Sequence, residues 1–77
     1  MIKTANTILR GELRCISEIK GSAISNKLME MNCLPGETII LKHIAPLGDP
    51  MVFEIGGILI GMCKQEALNI LTIAQLS

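Results

Sequence analysis

The chain has no tryptophan, no tyrosine and a single phenylalanine, Phe53. It therefore offers no aromatic platform on which the bases of a single strand can stack, and no aromatic-lined groove for proline-rich peptides. An excess of charge of either sign is also missing. Seven Lys and Arg balance seven Asp and Glu, so the formal net charge across 77 residues is zero. Without a basic run there is nothing to neutralise a row of phosphates, the main source of nucleic-acid affinity. Long hydrophobic runs are absent too. The longest nearly apolar stretch, 55–63, contains three glycines, whereas a membrane-spanning helix needs about 20 apolar residues. Residues 1–10 lack the continuous apolar core of a secretory leader. The cysteines, Cys15, Cys33 and Cys63, are odd in number and widely spaced. That pattern argues against a disulfide framework and predicts a reducing cytoplasmic location.

What remains is strongly apolar: 49% of the residues are hydrophobic and 18% charged. Disordered chains have the opposite balance. A domain this small buries only about 60% of the surface its unfolded chain exposes. The excess predicts that some apolar surface stays outside, available to a partner.

Glycine and proline divide the chain into short segments. In 12–19, Leu13, Cys15 and Ile19 alternate with charged residues, the period of two expected of a half-buried strand, with Ile16 out of step. Ser22 is placed to cap a helix. In that helix Ile24, Leu28 and Met31 share one face, and Asn32 suits its left-handed end. Pro35-Gly36 predicts a type II turn. A second strand, 37–45, places Ile39, Leu41 and His43 on one face. Pro46-Leu47-Gly48-Asp49-Pro50 reads as a rigid corner in which Asp49 bonds to nearby backbone. Strands 51–55 and 58–62 flank Gly56-Gly57, a primed hairpin turn. Helix formers fill 64–70, and 71–73 closes the sheet as a last strand.

These elements predict a mainly β fold. It is a small, partly open barrel of about five strands, with one helix inserted after the first and a short C-terminal helix. Its expected core is Leu13, Leu28, Met31, Ile39, Leu41, Met51, Phe53, Ile55, Ile60 and Met62, with Cys15 as a small core residue. Residues 1–10 are expected to be a loosely held extension, 11–73 the domain, and 74–77 a tail.

Three segments carry a family resemblance. They are Leu28-Met29-Glu30-Met31-Asn32-Cys33-Leu34-Pro35-Gly36, the corner Ala45-Pro46-Leu47-Gly48-Asp49-Pro50, and Glu66-Ala67 after the hairpin. In order and spacing they resemble the ferrous iron transport protein A (FeoA) family, over about 11–73. The resemblance implies an SH3-like barrel and a small cytoplasmic protein without enzymatic activity. It also implies a partner, the membrane ferrous iron transporter FeoB, met on its cytoplasmic side. A similar SH3-like domain occurs in iron-dependent repressors, so an iron-responsive metal-binding sensor is the alternative reading. Asn32 replaces the family's usual glycine, and Cys63 stands where many members carry arginine. Ile44 and Leu59 occupy positions that are often charged.

The residues themselves favour contact over chemistry. His43 has no nucleophile and no orienting group in a recognisable motif. Gly48-Asp49-Pro50 lacks the Lys-Ser/Thr of a phosphate loop. Cys15, Cys33, Cys63, His43 and Asp49 show no ligand spacing, so neither a metal site nor a cofactor is expected. The expected partner surface is Ile44, Leu47, Asp49, Val52, Leu59 and Cys63, an apolar patch beside the corner. It is open to the transporter or to a second copy in a homodimer, with no insertion into the membrane.

Overall fold

The structure, a computed structural model, describes residues 1–75. Six strands form one antiparallel sheet: β1 (Lys3–Thr4), β2 (Leu13–Ile19), β3 (Thr38–Ile44), β4 (Met51–Ile55), β5 (Ile58–Met62) and β6 (Ile70–Ala74). Their order in the sheet is β1-β6-β2-β3-β4-β5. Helix α1 (Ser22–Glu30) follows β2, and the short α2 (Lys64–Ala67) joins β5 to β6. The sheet curls around Phe53, which has no exposed surface, and does not close, since β1 and β5 remain its edges.

Most of the expected core is there. Leu28, Ile39, Leu41, Met51, Phe53, Ile55, Ile60 and Met62 are buried, and Met31 packs against them half-buried. The reading of β2 was on the wrong face. Leu13 is exposed and Cys15 half-buried, while Arg14 and Ile16 point inward. The register explains why. Pairing with β6 slips between Ile16 and Glu18, so Ser17 is an inserted bulge residue. Beyond it Ile19 joins the face of Ile16 and packs against the core. A bulge reverses the alternation on which the period-of-two reading relied.

A second bulge acts on β3, where pairing with β4 slips between Leu41 and His43. His43 therefore lies opposite Val52 on the outer face, exposed, and does not share the face of Ile39 and Leu41 as expected. Ile44 falls opposite the buried Met51 and packs against the core. Its placement in an outer patch is corrected accordingly.

The turns follow their chemistry. Asn32 ends α1 at φ 60, and the Cys33 N–H reaches back to the Leu28 carbonyl at 2.8 Å. The α1 start differs from expectation. Gly21 is the cap residue and Ser22 the first helical one, without a side-chain capping bond. Cys33 is buried, and burial pushes its thiol pKa up, with the Glu37 charge adding to the effect.

The first ten residues, expected to be loosely held, are integral. Strand β1 pairs with β6, Ala5 and Ile8 are buried, and Arg10 bridges Leu41 of β3. This segment packs against β6 and α2. The inward-facing Arg14 holds it there. Its Nε donates to Thr72 Oγ1 at 3.1 Å, and Nη2 donates to the Thr72 carbonyl at 3.0 Å and the Met1 carbonyl at 2.8 Å. Thr72 Oγ1 in turn donates to the Lys3 carbonyl at 2.9 Å. Glu12 completes the knot. Its Oε1 accepts the Leu9 N–H at 2.8 Å, and its Oε2 lies 3.6 Å from Arg14 Nη1 and 3.4 Å from Lys3 Nζ. Of the tail expected over 74–77, Ala74 ends β6 and residues 76–77 lie outside the described residues.

Removing the guanidinium strands buried acceptors, at a cost of about 2–4 kcal/mol. Arg14→Ala is expected to lower the urea midpoint accordingly and to speed hydrogen exchange at Lys3 and Thr4. A variant with unchanged midpoint and exchange would show that Arg14 is not what anchors the N-terminal segment.

Candidate functional site

The corner is built by backbone hydrogen bonds across its own mouth. The Ala45 N–H donates to the Pro50 carbonyl at 3.0 Å, and the Gly48 N–H to the Ala45 carbonyl at 2.7 Å. The Asp49–Pro50 peptide is cis. Gly48 sits at φ 93, and a Cβ there would come within 2.9 Å of Lys64 Nζ. The left-handed angle is what favours glycine, since the flexible Lys64 side chain can move aside. Leu47 is left at the tip with 97% of its surface exposed.

Asp49 does not bond within its own turn, as the sequence suggests, but reaches the next helix. Its Oδ1 accepts the N–H of Lys64, the first residue of α2, at 2.8 Å. Glu66, the third residue of α2, accepts the Cys63 N–H at 3.0 Å through Oε1. Free donors at a helix start favour carboxylates. A four-residue helix is marginal alone, and here two carboxylates fix where it begins. Lys27 of α1 approaches Glu66 Oε2 at 3.8 Å. The corner, α2 and α1 are thus joined in one polar chain: Asp49, the Cys63–Lys64 backbone, Glu66 and Lys27. Beside it, an open groove of about 300 Å³ between the helices is lined by Gly21, Ala23, Ile24, Gln65, Glu66 and Asn69.

The expected patch therefore divides. Asp49 and Cys63 meet at the start of α2, with Leu47 on the corner they brace. Val52 is half-buried on the outer face between His43 and Gly61. Leu59 lies further along the hairpin, opposite Glu54, and is 64% exposed. Ile44 points inward. Lys27, Glu66 and the groove were missed, because the groove needs two helices that the sequence keeps 34 or more residues apart, counting from Glu30 to Lys64. Glu66 alone carried a signal, three residues after a cap position.

Among the described residues no three His, Cys, Asp or Glu side chains come together as a metal ligand set. His43 lies on the outer face, and Cys33 is buried beneath the turn after α1. No helix among the described residues is long and apolar enough to cross a membrane.

The sequence model of the FeoA domain family matches residues 4–72. None of the curated proteins matches the chain. Among solved structures, the FeoA protein of Chlorobium tepidum superimposes with a TM-score of 0.88 at 23% identity, over 96% of this chain and 71% of that one. Iron(II) transport protein A of Clostridium thermocellum gives 0.84 at 32% identity, over 94% of this chain and 45% of that one. The FeoA of Stenotrophomonas maltophilia, described as a prokaryotic SH3 domain protein and solved with zinc, gives 0.80 at 17% identity, over 92% and 89%. The fold is SH3-like.

Two outcomes test the junction. Asp49→Ala, which removes a helix cap, is expected to cost about 1 kcal/mol, with faster amide exchange confined to α2. The Glu66 carboxyl is held below its ordinary 4.5 chiefly by the Cys63 N–H, partly opposed by burial and helped by Lys27. A carboxyl depressed by folding stabilises above its unfolded pKa and loses that contribution as pH falls through the folded one. Glu66→Gln is expected to flatten the acid limb of stability below about pH 4.5. Glu12, also lowered, chiefly by the Leu9 N–H, retains part of the limb. Parallel acid limbs in the two proteins would count against this role for Glu66.

Proposed function

The chain belongs to the FeoA family, which is associated with ferrous iron transport, and from that premise we propose that it is a cytoplasmic accessory protein of ferrous iron uptake. It acts without catalysis, by contact with the membrane ferrous iron transporter FeoB on its cytoplasmic side. The observation that carries the reading is the family match over 4–72, which includes the corner and its link to α2.

The contact we assign is the corner. Leu47 is fully presented there, and because the loop backbone is already braced, a partner that covers it orders little beyond the side chain itself. Asp49 and Cys63 support the contact from the start of α2, and Val52 extends it over the outer face. Leu59 and pairing with a second copy belong to the same outer hairpin. An apolar contact suits a chain with zero net charge, since little electrostatic steering is available.

Retention of the purified chain on immobilised FeoB tests this. Leu47→Glu, at a site with no packing to lose, is expected to fold normally and to reduce retention by about tenfold or more, as loss of a central apolar anchor does. Full retention of Leu47→Glu would move the contact off the corner. No retention of the unaltered chain would end the transporter reading.

A further inference from the structure

Of the two sheet edges, β1 has two residues and carries Lys3, as exposed edges usually do. The other, β5, reads Ile58-Leu59-Ile60-Gly61-Met62, five residues with no charge, no proline and no bulge against β4. Such an edge invites another strand. Which strand it takes follows from the hairpin geometry. Gly56 and Gly57, at φ 56 and 88, make a two-residue primed turn that closes on the Ile55–Ile58 pair. In such a hairpin the closing pair is hydrogen-bonded, and bonded pairs then alternate along the ladder. Ile58, Ile60 and Met62 therefore bond to β4. Leu59 and Gly61 turn their N–H and C=O groups to the open edge.

We propose that β5 is a self-pairing edge, joining two copies of the chain in an antiparallel, two-fold β5–β5 dimer centred on Ile60. Only this register places Leu59 and Gly61 opposite each other as bonded pairs on both sides of the axis, giving four backbone hydrogen bonds. It also sets the side chains. Leu59, 64% exposed, falls opposite the partner's Gly61, where a Cβ would meet nothing within 4 Å. Leu59 of each copy fills the space over that glycine, beside the half-buried Val52 of the strand behind it. Gly61 adopts no left-handed angle and meets no close neighbour, so its own fold does not require a glycine there. A foreign strand would need to supply both the leucine and the gap at matching positions, which a second copy supplies by symmetry.

Sedimentation of the purified chain across a concentration range, with amide hydrogen exchange, tests this without any transporter, so its failure is separate from failure of the corner contact. The expected result is a concentration-dependent dimer in which the Leu59 and Gly61 amides become protected as dimer forms. Leu59→Lys, which charges the edge, and Gly61→Val, which fills the gap, are each expected to weaken it by about tenfold or more. Leu13→Lys, exposed on the same outer face three strands away, should leave it unchanged. Leu47→Glu should dimerise normally. A chain monomeric at every concentration overturns the proposal, as does a dimer whose Leu59 and Gly61 amides stay unprotected. Monomers whose β5 amides are protected only by an added extended apolar peptide would assign the edge to foreign strands and likewise overturn self-pairing.

Discussion

A single sheet with one aromatic ring must bend sharply to enclose its own core, and the bend depends on two inserted residues, Ser17 and Lys42. Each breaks the register of its strand by one position. A bulge increases local twist and turns the strand. The consequence is visible in the spacing of inward residues. Ile16 and Ile19, and likewise Leu41 and Ile44, stand three apart yet pack toward the same interior. Without the slips, Ile19 and Ile44 would face solvent, and His43 would turn inward beside Leu41. Curvature and side-chain polarity are one constraint here.

Bending leaves the core open at the margins of the sheet, where the N-terminal segment and α2 cover it in contact with each other. The N-terminal segment is anchored by a buried guanidinium whose donors meet carbonyls and a hydroxyl. A buried charge is tolerable when its hydrogen-bonding capacity is used in this way. Away from that knot, the corner and helices are tied by Asp49, Glu66 and Lys27. Exposed ion pairs such as Lys27–Glu66 contribute little alone. What matters in that chain is the pair of carboxylate-to-amide bonds, which set where α2 begins and hence how the corner lies against it.

Much of this was legible in the residues. Phe53, the strand pair 51–55 and 58–62, Gly56-Gly57 and the Asn32 helix end were read from turn chemistry and alternation, which act over a few residues. The misreadings share a cause. Leu13 and Cys15 were assigned inward because they are apolar in alternation, and Arg14 outward because it is charged. The bulge at Ser17 and the partner Thr72, 58 residues away, decided otherwise. Ile44 failed for the same reason at the other bulge. The out-of-step Ile16 was the available sign, since an apolar residue that breaks a period of two is how a bulge shows in sequence. The family resemblance supplied the corner as a motif, but not that Asp49 caps a helix 15 residues on.

The apolar excess now has locations, and they differ in kind. Leu13 and Ile73 lie on the outer face of strands that have a neighbour on either side. Such residues offer contact area alone. Leu47 stands on a loop fixed by two internal hydrogen bonds and by Asp49, so covering it orders the side chain and leaves the backbone as it is. Leu59 stands on an edge strand with one neighbour among the described residues, so a second strand there would extend the ladder. The favourable area is similar for each leucine, about 25 cal/mol per Å². What separates them is what else binding completes or leaves disordered. By that criterion the corner and the β5 edge are the two places we propose for a partner, and Val52, on the outer face between them, is common to both.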